Sequence, residues 1–313
     1  MRVAVVDLGS NTTRLLVAEV ENGSLLEVEK QTTITRLGQG VDATGQLADE
    51  AMERVRDALA RYREIMDREG VTETIAVATS AMRDASNGPA FRDELNERFG
   101  IDARTISGDE EARLTFLGAT SGRTPAADGA SATVVIDIGG GSTEYVIGSP
   151  NSAPGFHVST QMGSVRHTER FLKSDPPEHD ELVALAEDVW RVIEENVPAQ
   201  SREETNEGIA VAGTATSLAA IDQELDPYDP EKVHGYRVSL AAAERIQAML
   251  AALPVEERRD VPGLHPDRAP TIVAGVTILV ESIRAFGLDE IEVSEADILH
   301  GAALAAAHGS IGQ

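Results

Sequence analysis

Val3-Ala4-Val5-Val6-Asp7-Leu8-Gly9-Ser10-Asn11-Thr12 near the start of the chain has a counterpart in Val134-Val135-Ile136-Asp137-Ile138-Gly139-Gly140-Gly141-Ser142 near its middle. Both run apolar strand, Asp, aliphatic residue, Gly, two small or polar residues, hydroxyl. Each is followed by a second apolar run, Leu15 to Val20 in one case and Glu144 to Ile147 in the other. The spacing predicts a strand, a Gly turn and a returning strand, twice over. A repeat on this scale predicts two related domains, each offering one loop to a shared cleft.

The rest of the pattern is α/β. Leu47, Met52, Val55, Leu59, Tyr62 and Met66 recur at helical spacing and predict a helix over 48–69. Short apolar runs at 75–78 and 101–106 predict strands, the second followed by a helix over about 109–119. In the second half a strand at 208–212 leads to a helix near 216–225. Further helices are predicted near 178–196, 239–252, 270–286 and 296–308. Strands alternating with helices indicate an α/β fold. The stretch 121–131 lacks periodicity and is rich in turn formers. It marks the expected boundary, giving domains 1–124 and 125–313, with a C-terminal helix at about 297–313 packing back on the first.

Composition narrows the function. With 313 residues and 42% hydrophobic content the chain can build two cores. It has no Cys, which excludes disulfides, thiolate catalysis and cysteine-based metal sites. No apolar run approaches the roughly 20 residues of a membrane span, so a cytoplasmic protein is expected. The formal charge of −26 argues against nucleic-acid or anionic-membrane binding. None of Lys30, Lys173 and Lys232 follows a Gly in a phosphate loop, so a Walker-type loop is absent.

The paired loops suit a phosphate. Gly9, Gly139, Gly140 and Gly141 let backbone N–H groups converge without side chains in the way. Ser10, Asn11, Thr12, Ser142 and Thr143 can add side-chain donors. Asp7 and Asp137 end the incoming strands beside these loops, and carboxylates next to phosphate call for a cation, Mg²⁺ above all and Mn²⁺ as a substitute. Glu144 follows two residues after the second loop, where a carboxylate can help to place a water. A third element, Gly213-Thr214 after the 208–212 strand, opens a helix and forms a further anion site; Ser/Thr capping of an ordinary helix explains it equally well. Arg83 can clamp phosphate oxygens or be a surface arginine. In Ser107-Gly108-Asp109-Glu110-Glu111, a capping box accounts for Glu110 and leaves Glu111 less explained. His179-Asp180, His300 and His308 lack partners at metal-binding spacing.

Together these segments resemble the exopolyphosphatase and guanosine pentaphosphate phosphatase family, within the actin-like ATPase superfamily. The resemblance rests on Val5 to Thr12, Ala78 to Arg83, Ile106 to Leu114, Ile136 to Glu144 and Ala212 to Ser217, in family order over most of the chain. It implies two ribonuclease H-like domains flanking a central cleft. It also implies Glu111 as catalytic base, Glu144 as the residue placing water and metal, and Asp137 and Asp7 near Mg²⁺. Thr12 stands where Ser is more usual and keeps the hydroxyl. The substrate implied is inorganic polyphosphate or, alternatively, guanosine pentaphosphate. A superfamily kinase and a non-catalytic sensor are the competing classes, and the Glu111 and Glu144 pair favours water as acceptor. The chain reads as the short form, without the extra helical domains of longer members. With the negative charge, that leads to an expected preference for short polyphosphates; Arg83 and Arg166 are the candidates for a local basic channel. The resemblance also allows for a homodimer.

Overall fold

The computed structural model describes residues 1–21, 24–123, 132–150 and 154–307. Most of the turn-rich stretch 121–131, and His308, lie outside the described residues. The chain divides into two compact units, Met1–Gly118 with Asp297–Gln313, and Ala119–Ala296.

The first unit is a five-stranded sheet of β1 (Arg2–Leu8), β2 (Thr12–Glu21), β3 (Ser24–Ile34), β4 (Glu73–Ala78) and β5 (Ala103–Thr105), in the order β3-β2-β1-β4-β5. The central β1 pairs antiparallel with β2 and parallel with β4. It is apolar at nearly every position because both of its faces are covered. Ala4, Val6 and Leu8 pack with Val55, Leu59, Tyr62 and Met66 of the helix Asp49–Arg68. Val3 and Val5 pack with Ile298, Leu299 and Ala302 of the helix Ile298–Ala307. That helix comes close to the helix Gly108–Ala119. A Cβ on Gly301 would stand 1.8 Å from the Leu114 carbonyl, so only Gly fits there.

The second unit holds β6 (Ala132–Ile138), β7 (Thr143–Gly148), β8 (Phe156–Thr160), β9 (Thr205–Val211), β10 (Arg237–Ser239) and β11 (Glu290–Val293), ordered β10-β11-β9-β6-β7-β8. Read from β8 to β11, the order and strand directions repeat those of β3 to β5: two antiparallel pairs, then two parallel ones. Its core is built around the helix Ile272–Ala285, buried from Ile272 to Ile283.

The strands β8, β10 and β11 and the helices Gly88–Phe99 and Ser164–Phe171 were not expected from the sequence, and three further differences have a physical reason. The helix expected near 216 begins at Ala212, directly after β9, because Ala212 takes a left-handed backbone (φ 64) that turns the chain without a loop. The strand expected at 101–106 is confined to Ala103–Thr105. β3 was not anticipated: as an edge strand it alternates charge with apolar residues, so Glu27, Glu29 and Lys30 mask its pattern.

Candidate active site

The two repeated loops close in the same way. The Gly9 N–H donates to the Thr12 carbonyl and the Gly139 N–H to the Ser142 carbonyl, both at 3.0 Å. Behind each loop another segment takes up the carbonyls. In the first unit the Ser10 carbonyl accepts from the Gly38 N–H, and the Asn11 carbonyl from those of Thr35 and Arg36. In the second unit the Gly139 carbonyl accepts from the Ser164 N–H, and the Gly140 carbonyl from those of Val165 and Arg166. The Arg166 Nε donates to the Gly141 carbonyl at 2.7 Å. Among the described residues no acceptor meets the amides of Ser10, Asn11, Gly140, Gly141 or Ser142. A turn whose oxygens are held from behind and whose N–H groups are unspent is a cradle for an anion.

What stands opposite each Asp differs. Asp137 on β6 lies directly across from Glu144 on β7, on one face of the sheet. Both are buried, and Ser159 of β8 donates its hydroxyl to Glu144 Oε1 at 2.7 Å. In the first unit the equivalent partner of Asp7 is Arg14. Its Nε and Nη2 both donate to Asp7 Oδ2, at 2.9 and 2.7 Å. Its Nη1 pairs with Asp297, whose other oxygen accepts from the Leu299 N–H at the start of the last helix. Burial raises the Asp7 carboxyl above its ordinary pKa, against the pull of Arg14. Burial pushes Asp297 the same way, but Arg14, His300 and Lys30 outweigh it and hold that carboxyl well below the usual range.

The metal expected beside Asp7 meets a competing cation there, because Arg14 already donates to Oδ2. Its other oxygen, Oδ1, is buried with no hydrogen-bond partner, an acceptor that fits a cation or a cation's water. Among the described residues no three His, Asp or Glu side chains gather as a ready-made cage. Mg²⁺ at phosphate sites needs only one or two carboxylates, with phosphate and water completing the shell. Asp137 and Glu144 have that chemistry.

The remaining candidates divide clearly. Glu111, 8% exposed, lies with its Oε2 3.4 Å from Arg83 Nη1, which also donates to the Ile106 carbonyl. Its neighbour Glu110 is engaged elsewhere: the Glu110 N–H takes the Ser107 hydroxyl as its cap, and the carboxylate pairs with Arg104. Ser10 accepts the Ala81 N–H at 3.1 Å and so fastens the first loop to the segment after β4. Thr143, expected beside a ligand, is fully buried and donates its hydroxyl to the Met162 carbonyl, so it belongs to the sheet. Thr214 meets Ser164 at Gly275: a Cβ there would stand 2.6 Å from Thr214 Oγ1 and 3.3 Å from Ser164 Cβ. The third element thus joins the helix start behind the second loop. Gly213 is covered by Arg268, which donates to its carbonyl and to Ser217 Oγ. His179 opens a helix capped by Glu178 and Glu181, and His300 sits 3.9 Å from Asp297. Arg14, Ser159, Arg268 and Asp297 had no flag in the sequence.

Duplicated sheets of this order, each with a Gly-turned hairpin after its central strand, define the ribonuclease H-like, actin-like ATPase class of α/β proteins. The chain belongs to the Ppx/GppA phosphatase family, whose model matches residues 16–308. It is 37% identical to exopolyphosphatase 2 of Mycobacterium tuberculosis, over 98% of each chain. Among solved structures it is similar to the Aquifex aeolicus member of the family, with TM-score 0.81 at 29% identity, covering 100% and 99% of the two chains. An exopolyphosphatase from Cytophaga hutchinsonii matches with TM-score 0.90 at 28% identity, over 99% and 98%. Family membership makes the chain a phosphatase. No helix among the described residues is long and apolar enough to cross a membrane.

Proposed function

We propose that this phosphatase is an exopolyphosphatase, releasing orthophosphate from the end of inorganic polyphosphate by attack of water, and that it favours short chains. The observation that carries the reading is the pair of loops whose carbonyls are held from behind while their amides remain available for phosphate oxygens. The likeness to a named exopolyphosphatase supports the choice of substrate. In this reading Glu111 takes the proton of the attacking water, and Arg83 fixes the direction of its carboxylate. Asp137 and Glu144 would hold Mg²⁺, with Mn²⁺ as a substitute, and Ser159 orients Glu144. When bound, the cation neutralises charge on the transferring phosphoryl group. The amides of both loops, with the side chains of Asn11, Thr12 and Ser142, orient the phosphates. Gly213 and Thr214 brace the second loop and extend its polar lining. The preference for short chains rests on the formal charge of −26, which repels each added phosphate.

The test compares phosphate release from tripolyphosphate, from long polyphosphate and from guanosine pentaphosphate, each with Mg²⁺ and with no acceptor added. Release from polyphosphate at the highest kcat/KM is expected. A clear preference for guanosine pentaphosphate would replace the proposed substrate, and no release without an acceptor would point to a kinase.

A further inference from the structure

The second loop is held by the start of the helix Ser164–Phe171, which spends its first amides on the Gly139 and Gly140 carbonyls. The residue before that helix is Gly163. A Cβ there would stand 2.3 Å from the Gly140 carbonyl oxygen and 2.6 Å from the Gly141 carbonyl carbon, so backbone meets backbone. Something must fix Gly163 in this approach. One turn on, His167 is buried to 1% exposure, and its Nδ1 accepts the Gly163 N–H at 3.4 Å. The accepting Nδ1 assigns the proton to Nε2. That nitrogen faces Asp188 Oδ2 of the helix His179–Asn196 at 3.3 Å, without a fully aligned hydrogen bond. Asp188 is itself paired with Arg191. The ring rests against Phe171, with centroids 5.5 Å apart. Arg166 and Arg170 are the charged groups near it on its own helix, and Asp188 faces it from the neighbouring one.

A buried His in a small helix usually means a polar group that found a partner. Here the partner is the backbone of Gly163, which lies against the loop just before the amides that hold it. We propose that His167, braced by Asp188, is a positioning residue for the 139–142 loop. It fixes Gly163, and through Gly163 it fixes the helix start that holds the loop's carbonyls. This rests on the reading of that loop as a phosphate cradle. His167 touches no substrate, so its loss should appear as misplacement of the loop amides.

The experiment measures KM and kcat for tripolyphosphate with Mg²⁺ on the full chain and four variants. His167→Leu removes the acceptor and should lower kcat/KM roughly 10–100-fold, the scale of a displacement of about 1 Å, mostly through KM. His167→Asn can still accept the Gly163 N–H from its Oδ1 and should recover most of the loss. Val189→Ala thins the core beneath the helix that carries Asp188, away from Gly163, and should lower the unfolding midpoint while leaving KM alone. Gly163→Ala pushes on the loop directly and should raise KM. If His167→Leu and Val189→Ala behave alike, or Asn rescues nothing, the positioning role is wrong. If Gly163→Ala raises KM and His167→Leu does not, the loop reading stands and this inference falls; if neither raises KM, the loop reading itself fails. A rise with His167→Leu alone would also overturn the route through Gly163. Should His167→Leu not fold, Asp188→Leu, at a partly exposed side chain, tests the brace from outside, and an unchanged KM there counts against it.

Discussion

Residues 7–14 and 137–144 are the same hairpin with one decisive difference. Both begin with a buried Asp at the end of a central strand and close with a Gly-to-hydroxyl-residue hydrogen bond of 3.0 Å. In the second the cross-strand partner of the Asp is Glu144; in the first it is Arg14. Two carboxylates on one sheet face repel, and they attract a cation and water. A carboxylate and a guanidinium neutralise one another through Asp7 Oδ2, and Arg14 extends the pair to Asp297 at the start of the last helix. In the proposed site both turns would offer amides to phosphate, but only the second would offer a carboxylate pair to a cation, while Arg14 in the first fastens the sheet to the final helix. Shared topology does not imply shared work, because one side chain opposite the Asp changes what the turn can do.

The largest effect that sharpens this contrast is on turnover. Glu144→Gln and Glu111→Gln should each keep the fold and lose about 10²–10⁴-fold in kcat. Steady-state kinetics beside thermal unfolding separates this from structural damage. A midpoint that falls in step with kcat would assign Glu144 to the sheet instead of the reaction.

Arg14→Met should act on stability first. It strands two buried carboxylates, and removing one partner of a buried pair costs about 3–5 kcal/mol. The deficit should shrink as pH falls, because without Arg14 the buried Asp7 and Asp297 take up protons more readily than in the unfolded chain. Denaturant titrations at pH 7 and pH 5 read this directly, and a deficit independent of pH would break the account of the clamp.

The smallest effect concerns His167. Burial lowers its pKa from the ordinary 6.5 to about 4, so the folded protein keeps the ring neutral. Its contribution to stability is full above about pH 6.5 and declines as pH drops towards 4, because the unfolded chain binds the proton first. The decline between those values should be shallower in His167→Asn than in the wild type.

Much of this was legible in the sequence. The repeat stood out because Gly turns on apolar strands leave a local signature, and both hairpins lie where that signature put them. Ser107 with Glu110 read as a capping box, and its Ser107 half is present while the Glu110 carboxylate pairs with Arg104. The parts that were not legible depend on partners distant in the chain. Arg14 reads as an ordinary strand residue until Asp297, 283 positions on, is beside it. Glu111 gained meaning only when Arg104 drew Glu110 aside and Arg83 came to lie next to it. His167 looks like any helical His until Gly163 and Asp188 bracket it. Asp7 and Asp137 looked alike for the same reason: the sequence shows the repeat plainly, and the exchange of Glu for Arg matters only once the hairpin register is known.

The most direct test of the division between the hairpins is metal affinity, read by Mn²⁺ paramagnetic resonance on folded protein without substrate. Asp137→Asn should weaken Mn²⁺ binding by at least about tenfold, and Asp7→Asn, whose neighbour Arg14 already supplies the charge, by much less. Equal losses in the two variants would contradict the account, because the two hairpins would then contribute alike to metal binding.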